Sequence, residues 1–366
     1  MPDTQNEDLQ LLVSRNDWSQ TRFESAPLDP LTRNQVRYRI DRFALTSNNI
    51  SYASAGDMLG YWDFFPAEEG WGRIPAMGFA DVVESEHPDV AVGERVFGFF
   101  PMARYLTIDA EGMTPGHYVD GAAHRRNHAP VYRQYSRVLE DPLYDEEREN
   151  QILLMRGLFM TSFLVDGFLA DHSGFGAESY ILGSASSKTS IALAFLLAGR
   201  GAGRVIGITG DRNREFVEKL GFYDEVRGYD EAAALPADRP TSFIDFSGHG
   251  AFIRALHEHL HENLKNHCIV GATHWTAGEA ATNLPGAEPT FFFAPGEIKN
   301  RIDAWGADEF QKRILKGWTH FCASSDDWLN VCLSSGRTDL ERIYAEILEG
   351  RAQPRDGHVL SLSREA

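Results

Sequence analysis

The sequence predicts an α/β protein that joins a β-rich first region to a doubly wound parallel sheet. Three observations carry this expectation. Up to about residue 112 the apolar residues fall in short alternating runs, such as VRYRIDRFAL and ARYLTID, separated by Gly, Pro and Asp turns. From Leu153 onward, short apolar strands alternate with helical segments, the pattern of parallel strands with right-handed crossovers. The length of 366 residues suits two domains, and 43% apolar with 24% charged residues is the balance of a globular chain.

Within the first region, PAMGFADVVESEHPDVAVGERVFGFF (Pro75 to Phe100) reads as two strands joined by a turn, with a tight reversal at Gly93-Glu94. Residues 113–150 are rich in His, Arg and Tyr and weakly periodic, so they are expected to form a long excursion with some helix. A stretch of that length inside a compact domain is usually functional or disordered. LLMRGLFMTSFLVDGFLAD, from Leu153, carries apolar residues at helical spacing. SYILG is then a strand, TSIALAFLLAG a helix closed by Gly199, RVIGIT a strand, REFVEKLG a helix ending on Gly221, and DEVRGY a strand. TSFIDFSG and HCIVGA add two strands around the helix ALHEHLHENL, and Asp339 to Leu360 closes as helix and strand. There is no internal repeat.

Composition removes several function classes. A net charge of −18 disfavours nucleic acid, whose phosphates need a basic surface. No run of 18 apolar residues is present, so no membrane span is expected. The polar, acidic start MPDTQNEDLQ lacks the features of a secretory signal and points to the cytoplasm. Cys268, Cys322 and Cys332 are widely spaced, which argues against a disulfide framework and a structural zinc site.

In a parallel sheet of this kind ligands bind beyond the carboxyl ends of the strands, at the switch point. The first strand–turn–helix is ILGSASSKTSIAL, with Gly183 directly after the strand. Its turn is built of small residues, and a helix start offers unpaired N–H groups to a pyrophosphate. Only Gly183 remains of a G-x-G-x-x-G pattern, with Ser186 and Thr189 near the other glycine positions, Ser187 between them, and Lys188 beside a phosphate or facing solvent. A P-loop is rejected, because Gly183 to Lys188 is one residue short and the second glycine is missing. The next strand ends on Thr209, and Arg212 and Arg214 follow within five residues. An acid at that strand end would hold the ribose of NAD, whereas nearby arginines accommodate the 2′-phosphate of NADP, so NADP is the expected cofactor. Asp211 is the opposing signal, and two arginines on a solvated helix start are the plainer alternative.

Taken together these segments resemble the medium-chain dehydrogenase/reductase superfamily, in its zinc-free quinone/enone reductase branch, and more narrowly the DUF2855-type family. PAMGFADVVESEHPDVAVGERVFGF matches the pattern of a Gly-centred strand, a turn and "v-G-D-r-V", with Glu94 in place of Asp. GLFMTSF matches a "G-l-T-a" helix start, RVIGITGDRNREFVEKLGFYDEV the "r-V-i…k…l-G-a-d-e-v" segment, and ILEGRAQPRDGHVLSL the closing helix–strand. The resemblance, over roughly residues 35–362, implies a GroES-like catalytic domain interrupted by a Rossmann domain, with the cofactor between them. The implied boundaries are 1–150, 151–320 and a return over 321–366. With no cysteine before Cys268, both metal sites of zinc-dependent members are expected to be absent. The chain departs from the pattern at GSASSKT, where hydroxyls and Lys188 replace glycines, and in the 113–150 insertion.

Reducing a polarised double bond or a quinone requires a donor to the developing oxyanion and a proton source. By the resemblance Asn48 begins the "N-x-x-D" stretch, with Ser51 where Asp often stands, and Tyr52 follows; a turn plus a buried tyrosine is the alternative. Thr161 falls where the family approaches the nicotinamide or its phosphates, or is a helix cap. The insertion offers His117, Tyr118, His124, His128, Tyr132 and Tyr135, with Arg125 and Arg126; of these His128 is the candidate proton donor. The i,i+4 spacing of His124 and His128 also suggests a metal face, and a subunit-contact loop is a further reading. Gly248, next to His249, and Gly271, which opens the stretch to His274, follow strands and are expected to allow close approach of the nicotinamide. FFFAPGEIKNRID (Phe291 to Asp303) is a substrate loop, a packing segment or a dimer contact.

The sequence thus anticipates a zinc-independent, NADPH-dependent reductase of a small-molecule enone or quinone, as a homodimer. Two other readings stay open: a catalytically silent NADP(H)-binding sensor, and an alcohol dehydrogenase with an unrecognised metal.

Overall fold

The computed structural model describes residues 7–270 and 284–363. The chain forms two compact units, Met1–Leu154 with Asn330–Ala366, and Met155–Leu329.

The first unit contains β1 (Glu7–Ser14), β2 (Thr21–Pro27), β3 (Gln35–Leu45), α1 (Ser47–Ser54), α2 (Gly56–Leu59), β4 (Trp71–Gly72), β5 (Pro75–Ser85), β6 (Arg95–Pro101), β7 (Tyr105–Glu111), β8 (His117–Asp120), α3 (Pro130–Arg133) and β9 (Gln134–Arg137). The second unit takes most of α4 (Glu149–Asp171), then β10 (Ser179–Leu182), α5 (Lys188–Gly199), β11 (Arg204–Ile208), α6 (Asp211–Lys219), β12 (Glu225–Arg227), β13 (Thr241–Asp245), α7 (Gly250–Leu260), β14 (Leu264–Ile269), β15 (Pro289–Phe291), α8 (Ala294–Trp305) and α9 (Ala307–Ser324). The chain then returns to the first unit as β16 (Asn330–Ser335), α10 (Gly336–Leu348) and β17 (Asp356–Ser361).

In the first unit β1 is flanked by β2 and β4, and the larger sheet runs β16-β17-β3-β5-β6-β9-β8-β7. The eleven residues of β3 close this sheet on itself. Gln35–Arg39 pairs with β7, while Phe43–Leu45 pairs with β17. The loop β3-β5-β6-β9-β8-β7 back to β3 is a barrel, which leaves no open edge between β3 and β7. Buried rings from four of its strands meet in the core: Tyr38, Phe100, Tyr118 and Tyr135. Gly98 makes room for one of them, since a Cβ there would come within 2.8 Å of the Tyr135 ring.

The 113–150 segment differs from its expectation as a mainly loop and helical excursion. Its β8 and β9 are strands of the barrel, in register His117↔Ser136, Tyr118↔Tyr135 and Val119↔Gln134. Alternate residues Tyr118 and Tyr135 enter the core, and four-residue strands carry too little periodicity to be read beforehand.

In the second unit the strand order β12-β11-β10-β13-β14-β15, all parallel, is that of a doubly wound sheet. Its central strands are buried along nearly their whole length because helices cover both faces. Ile181, Ile206, Ile208 and Phe243 pack with Phe252, Leu256 and Leu260 of α7. Helix α4 is long and apolar enough to cross a membrane by length and composition, which the count of uninterrupted apolar residues had not anticipated. Half of its apolar window is buried in the fold. Phe159 stacks on Phe321 at 5.4 Å, and the Ser162 hydroxyl donates to the Thr189 carbonyl at 2.7 Å.

Candidate functional site

The strand order of the second unit reverses between β10 and β13, so the switch point lies where Gly183 follows β10 and Ser247 follows β13. Gly183 is closely packed there: a Cβ would stand 3.1 Å from Asp245 Oδ1 and 3.2 Å from Ser247 Oγ. Its amide still belongs to the sheet, donating to Ile244 O at 3.0 Å, and the Ala185 amide donates to Ile208 O at 2.8 Å. Between them Ser184 adopts a positive φ of 49° and donates its amide to the Tyr229 phenol at 3.2 Å.

Helix α5 then starts at Lys188 on a serine cap. Ser187 Oγ accepts from the Ser190 amide at 3.2 Å, satisfying one of the amides that a helix start leaves over. Ser186 Oγ accepts from Thr209 Oγ1 at 3.3 Å and from Asn213 Nδ2 at 3.1 Å. With both lone pairs engaged, its hydroxyl proton is left to donate outward. Gly183, Ser186, Ser187, Lys188, Thr189 and Thr209 therefore converge on one turn, tied to the start of α6 by Asn213.

The other residues expected around the nucleotide are arranged differently. Arg214 pairs with Glu231 and, at 3.4 Å, with Asp211; the Glu231 carboxyl is held low first by the Gly228 amide and then by Arg214. Arg212 lies exposed on the first turn of α6. Gly248 has a φ of +66°, and its amide donates to Asp245 Oδ1 at 3.0 Å. Thr161 is neither at a helix start nor a cap. It lies in the middle of α4, whose first residue is Glu149, and its hydroxyl donates to the Gly157 carbonyl at 3.2 Å, a local bond that leaves the helix unbroken. Gly271 and His274 lie outside the described residues.

Across the switch point from the turn, sequence reasoning placed His249 after its strand but missed Tyr229 and Asp245. Asp245 is buried, and burial pushes its carboxyl up, opposed by bonds from Ser247 (2.8 Å from N, 2.7 Å from Oγ) and Gly248. The His249 ring stacks on Tyr229 at 4.6 Å, and its Nδ1 accepts from the Phe252 amide to cap α7. The available signal was position, since Tyr229 and Asp245 each stand at the carboxyl end of a parallel strand.

The first unit holds the second group of candidates. Thr46 and Asn49 form a capping box: the Thr46 side chain accepts at the helix start, and Asn49 Oδ1 accepts from the Thr46 amide at 2.7 Å. The resulting helix, α1, sets Asn48 and Tyr52 one turn apart, and Asn48 Nδ2 donates to the Tyr52 hydroxyl at 2.7 Å. Tyr52 is half-buried against Tyr61 (4.7 Å between centroids) and Phe99 (5.9 Å), and burial raises its phenol above the ordinary value. Tyr132 of the insertion packs on the same cluster, 5.8 Å from both Tyr61 and Phe99 and 5.4 Å from Phe64. His128 reaches the cluster too, with its ring 4.7 Å from Phe64. Burial is the chief cause that holds His128 below the ordinary histidine value, while Asp63 opposes it. The structure brings Asn48, Tyr52 and His128 to one aromatic cluster, but Phe64 contacts His128, and no described hydrogen bond joins His128 to Tyr52. The segment from His124 to His128 is a run of turns, so the two rings do not share a helical face as an i,i+4 metal pair would.

A polar cavity of about 470 Å³ in this unit includes none of the expected site residues. It is walled by an ion-pair network in which Arg95 joins Asp41, Asp81 and Glu149.

Comparison with solved structures identifies the fold. CurA from Vibrio vulnificus in complex with NADPH superposes with a TM-score of 0.62 at 15% identity, covering 98% of this chain and 100% of that one. A proposed NADPH:quinone reductase from Bacillus thuringiensis gives 0.59 at 12% identity, covering 97% and 99%. The yhdH oxidoreductase from Salmonella enterica in complex with NADP gives 0.55 at 14% identity, with the same coverage. The first unit is thus a GroES-like domain and the second a Rossmann domain, the fold of medium-chain dehydrogenases/reductases. No curated protein matches the sequence. Residues 43–353 match the sequence model of the family described as "Protein of unknown function (DUF2855)", and the chain belongs to that family.

Proposed function

We propose that the chain is an NADPH-dependent reductase that delivers hydride to an enone, quinone or similar electron-poor small molecule without zinc. The observation that carries the reading is the turn at the switch point. The outward proton of Ser186, the start of α5 and Lys188 beside it supply the donors and positive charge that suit a diphosphate. That β11 is followed directly by Thr209 instead of an acid, with Arg212 on the helix start, supports a 2′-phosphate over a free ribose. That two solved structures of this fold hold NADPH or NADP supports the same reading.

When bound, the reduced coenzyme supplies hydride. The remaining work falls to the chain. Tyr52, whose lone pair Asn48 engages, donates its phenolic proton to the acceptor oxygen, and the surrounding rings exclude water. His128, whose imidazole burial holds below the ordinary histidine value, borders the same cluster. The first cysteine is Cys268, and among the described residues no three His, Cys, Asp or Glu side chains form a group that could hold a metal ion, which supports a zinc-free mechanism over the alcohol dehydrogenase reading. A cytoplasmic homodimer is part of the proposal. Support for the dimer comes from β15, at the edge of the parallel sheet, where Phe291 and Phe293 are exposed.

A second reading, a silent NADP(H)-binding sensor, draws on two contacts: Tyr229 already accepts the Ser184 amide, and Arg214 already pairs with Glu231. One experiment separates the two. NADPH at 100 times its dissociation constant should add about 2.7 kcal/mol to stability, and more than NADH at equal concentration. Oxidation of NADPH in the presence of simple quinones or α,β-unsaturated ketones then identifies the reductase. Binding without turnover identifies the sensor, and failure to bind either coenzyme removes both readings.

A further inference from the structure

We infer that Tyr223 is a positioning residue of the nucleotide turn. It holds the Ala185 carbonyl toward the core and thereby turns the Ser186 amide outward, as a backbone donor to a diphosphate. The inference rests on the coenzyme reading and goes beyond it, to the residue that does for GSASSKT what glycines do in the usual turn.

A glycine-rich turn lets backbone amides approach a diphosphate because no Cβ stands in the way. Here Ser184, Ala185 and Ser186 follow Gly183, so the amides have to be aimed by their neighbours. Most of them are already committed. The Ser184 amide donates to Tyr229 at 3.2 Å, and the Ala185 amide to Ile208 O at 2.8 Å. The Ser187 amide donates to Ser184 O at 2.8 Å, and the Ser190 amide to Ser187 Oγ. The Ser186 amide donates to no group among the described residues. Ser186 is half-buried, whereas Ala185 before it is fully buried.

Tyr223 decides which way that amide points. Its phenol donates to the Ala185 carbonyl at 2.9 Å. In a trans peptide the C=O of one residue and the N–H of the next point in opposite directions. A carbonyl gripped by Tyr223 therefore aims the Ser186 N–H away from Tyr223. The ring lies on the core side, packed with Phe216 against Ala185, Val217 and Val226. Away from it is the open side of the turn.

The phenol has one direction in which to act. Ser190 Oγ stands 3.2 Å from the Tyr223 hydroxyl, and because the single phenolic proton goes to Ala185, Ser190 is the donor. Room for the ring is made at Gly207 of β11, where a Cβ would come within 2.8 Å of both the Tyr223 ring and the Ala185 Cβ. The hydroxyl is thus bonded to α5 on one side and to the turn on the other, and its ring is seated on β11. A carbonyl held at so constrained a point cannot swing, and neither can the amide coupled to it.

The test compares wild type with Tyr223→Phe, which keeps the ring and removes the hydroxyl, by isothermal titration with three ligands. These are NADPH, inorganic pyrophosphate, and adenosine 2′-monophosphate, which carries the 2′-phosphate but no diphosphate. Tyr223→Phe should raise the dissociation constants of NADPH and pyrophosphate about tenfold and leave that of adenosine 2′-monophosphate within about twofold. Equal losses for all three ligands would mean that the phenol only props the fold, and would overturn the inference, as would unchanged binding of NADPH and pyrophosphate. If wild type binds pyrophosphate but not NADPH, the coenzyme reading falls, and the pyrophosphate arm still decides the role of Tyr223. If wild type binds neither, both fall. A second measurement needs no Tyr223 variant. In wild type labelled with 15N-serine, pyrophosphate should shift the Ser186 amide resonance, identified by its absence in Ser186→Thr, more than that of Ser190. A Ser186 resonance that stays in place overturns the inference even if Tyr223→Phe does not fold.

Discussion

The side-chain amide of Asn48 donates to the hydroxyl of Tyr52 at 2.7 Å, one turn further along the same helix. This bond fixes which way the phenol can act. With its lone pair taken, Tyr52 is a donor, and burial keeps it protonated well above neutral pH. Tyr52→Phe should therefore lower kcat about a hundredfold with little change in KM. Asn48→Ala, which frees the phenol to rotate, should cost about tenfold. Steady-state kinetics with a quinone at saturating NADPH measures both, and a Tyr52→Phe enzyme at wild-type kcat would remove Tyr52 from the mechanism.

At the nucleotide turn, Ser186 receives bonds from Thr209 and Asn213 and offers its own proton. A hydrogen bond to a charged group is worth roughly 1.5–3 kcal/mol. Ser186→Ala should accordingly raise the dissociation constant for NADPH by about one to two orders of magnitude, whereas Ser186→Gly, nearer the usual glycine-rich turn, should recover part of the loss through backbone approach. Isothermal titration of both variants gives the answer. Equal affinity for Ser186→Ala and wild type would mean that the diphosphate does not lie on this turn.

How much of this was legible depends on what carried the signal. The strands of the parallel sheet announced themselves because helices bury both faces, so SYIL, RVIGI and TSFID are buried along nearly their whole length and carry apolar residues at their centres. The serine-rich turn was legible for the same local reason, since small residues between strand and helix need no tertiary knowledge. Helix α1 was not, because SNNISYAS is a poor helix former, held by the Thr46–Asn49 capping box and by packing. Tyr132 was visible as a residue but not as a neighbour of Tyr52: that adjacency is made by Arg125, whose burial depends on β9, α3 and the rings of Phe64 and Phe65 together. That Thr161 does not cap a helix was not legible either, because a short sequence match marks similarity and not position within a helix, and α4 begins twelve residues earlier, at Glu149.

The edge of the parallel sheet carries the expectation of a dimer. Strand β15 pairs only with β14 among the described strands, Phe291 and Phe293 are exposed, and Phe292 between them is buried, 5.8 Å from the Phe168 ring. An exposed aromatic edge invites pairing with a second copy, and a charge there opposes it. Phe291→Asp should convert the dimer to monomer in light scattering at micromolar protein, with the melting temperature little changed because that side chain already faces solvent. A wild-type chain that is monomeric at the same concentration would dispose of the dimer.

The final prediction concerns a buried histidine pair in the second unit. His257 Nδ1 faces the Pro285 carbonyl at 2.8 Å, so it carries the proton; His257 Nε2, 2.8 Å from His267 Nδ1, must then accept, and His267 donates. His267 Nε2 is left as a buried acceptor with no partner. Burial first, and then the neighbouring His257, push His267 down to about 3, and burial lowers His257 as well. The sign follows from proton uptake. Below the ordinary histidine value of about 6.5 the unfolded chain binds protons that the folded pair refuses, so stability falls with decreasing pH. The penalty is absent above about 6.5, grows by up to about 1.4 kcal/mol per pH unit for His267 as pH falls, and levels off only near the folded value. His267→Asn, which keeps a donor toward His257 and removes the titration, should have a lower melting temperature at pH 8 but a flatter decline between pH 6.5 and 5. Parallel declines in the two proteins would show that the pair does not set the acid limit of the fold.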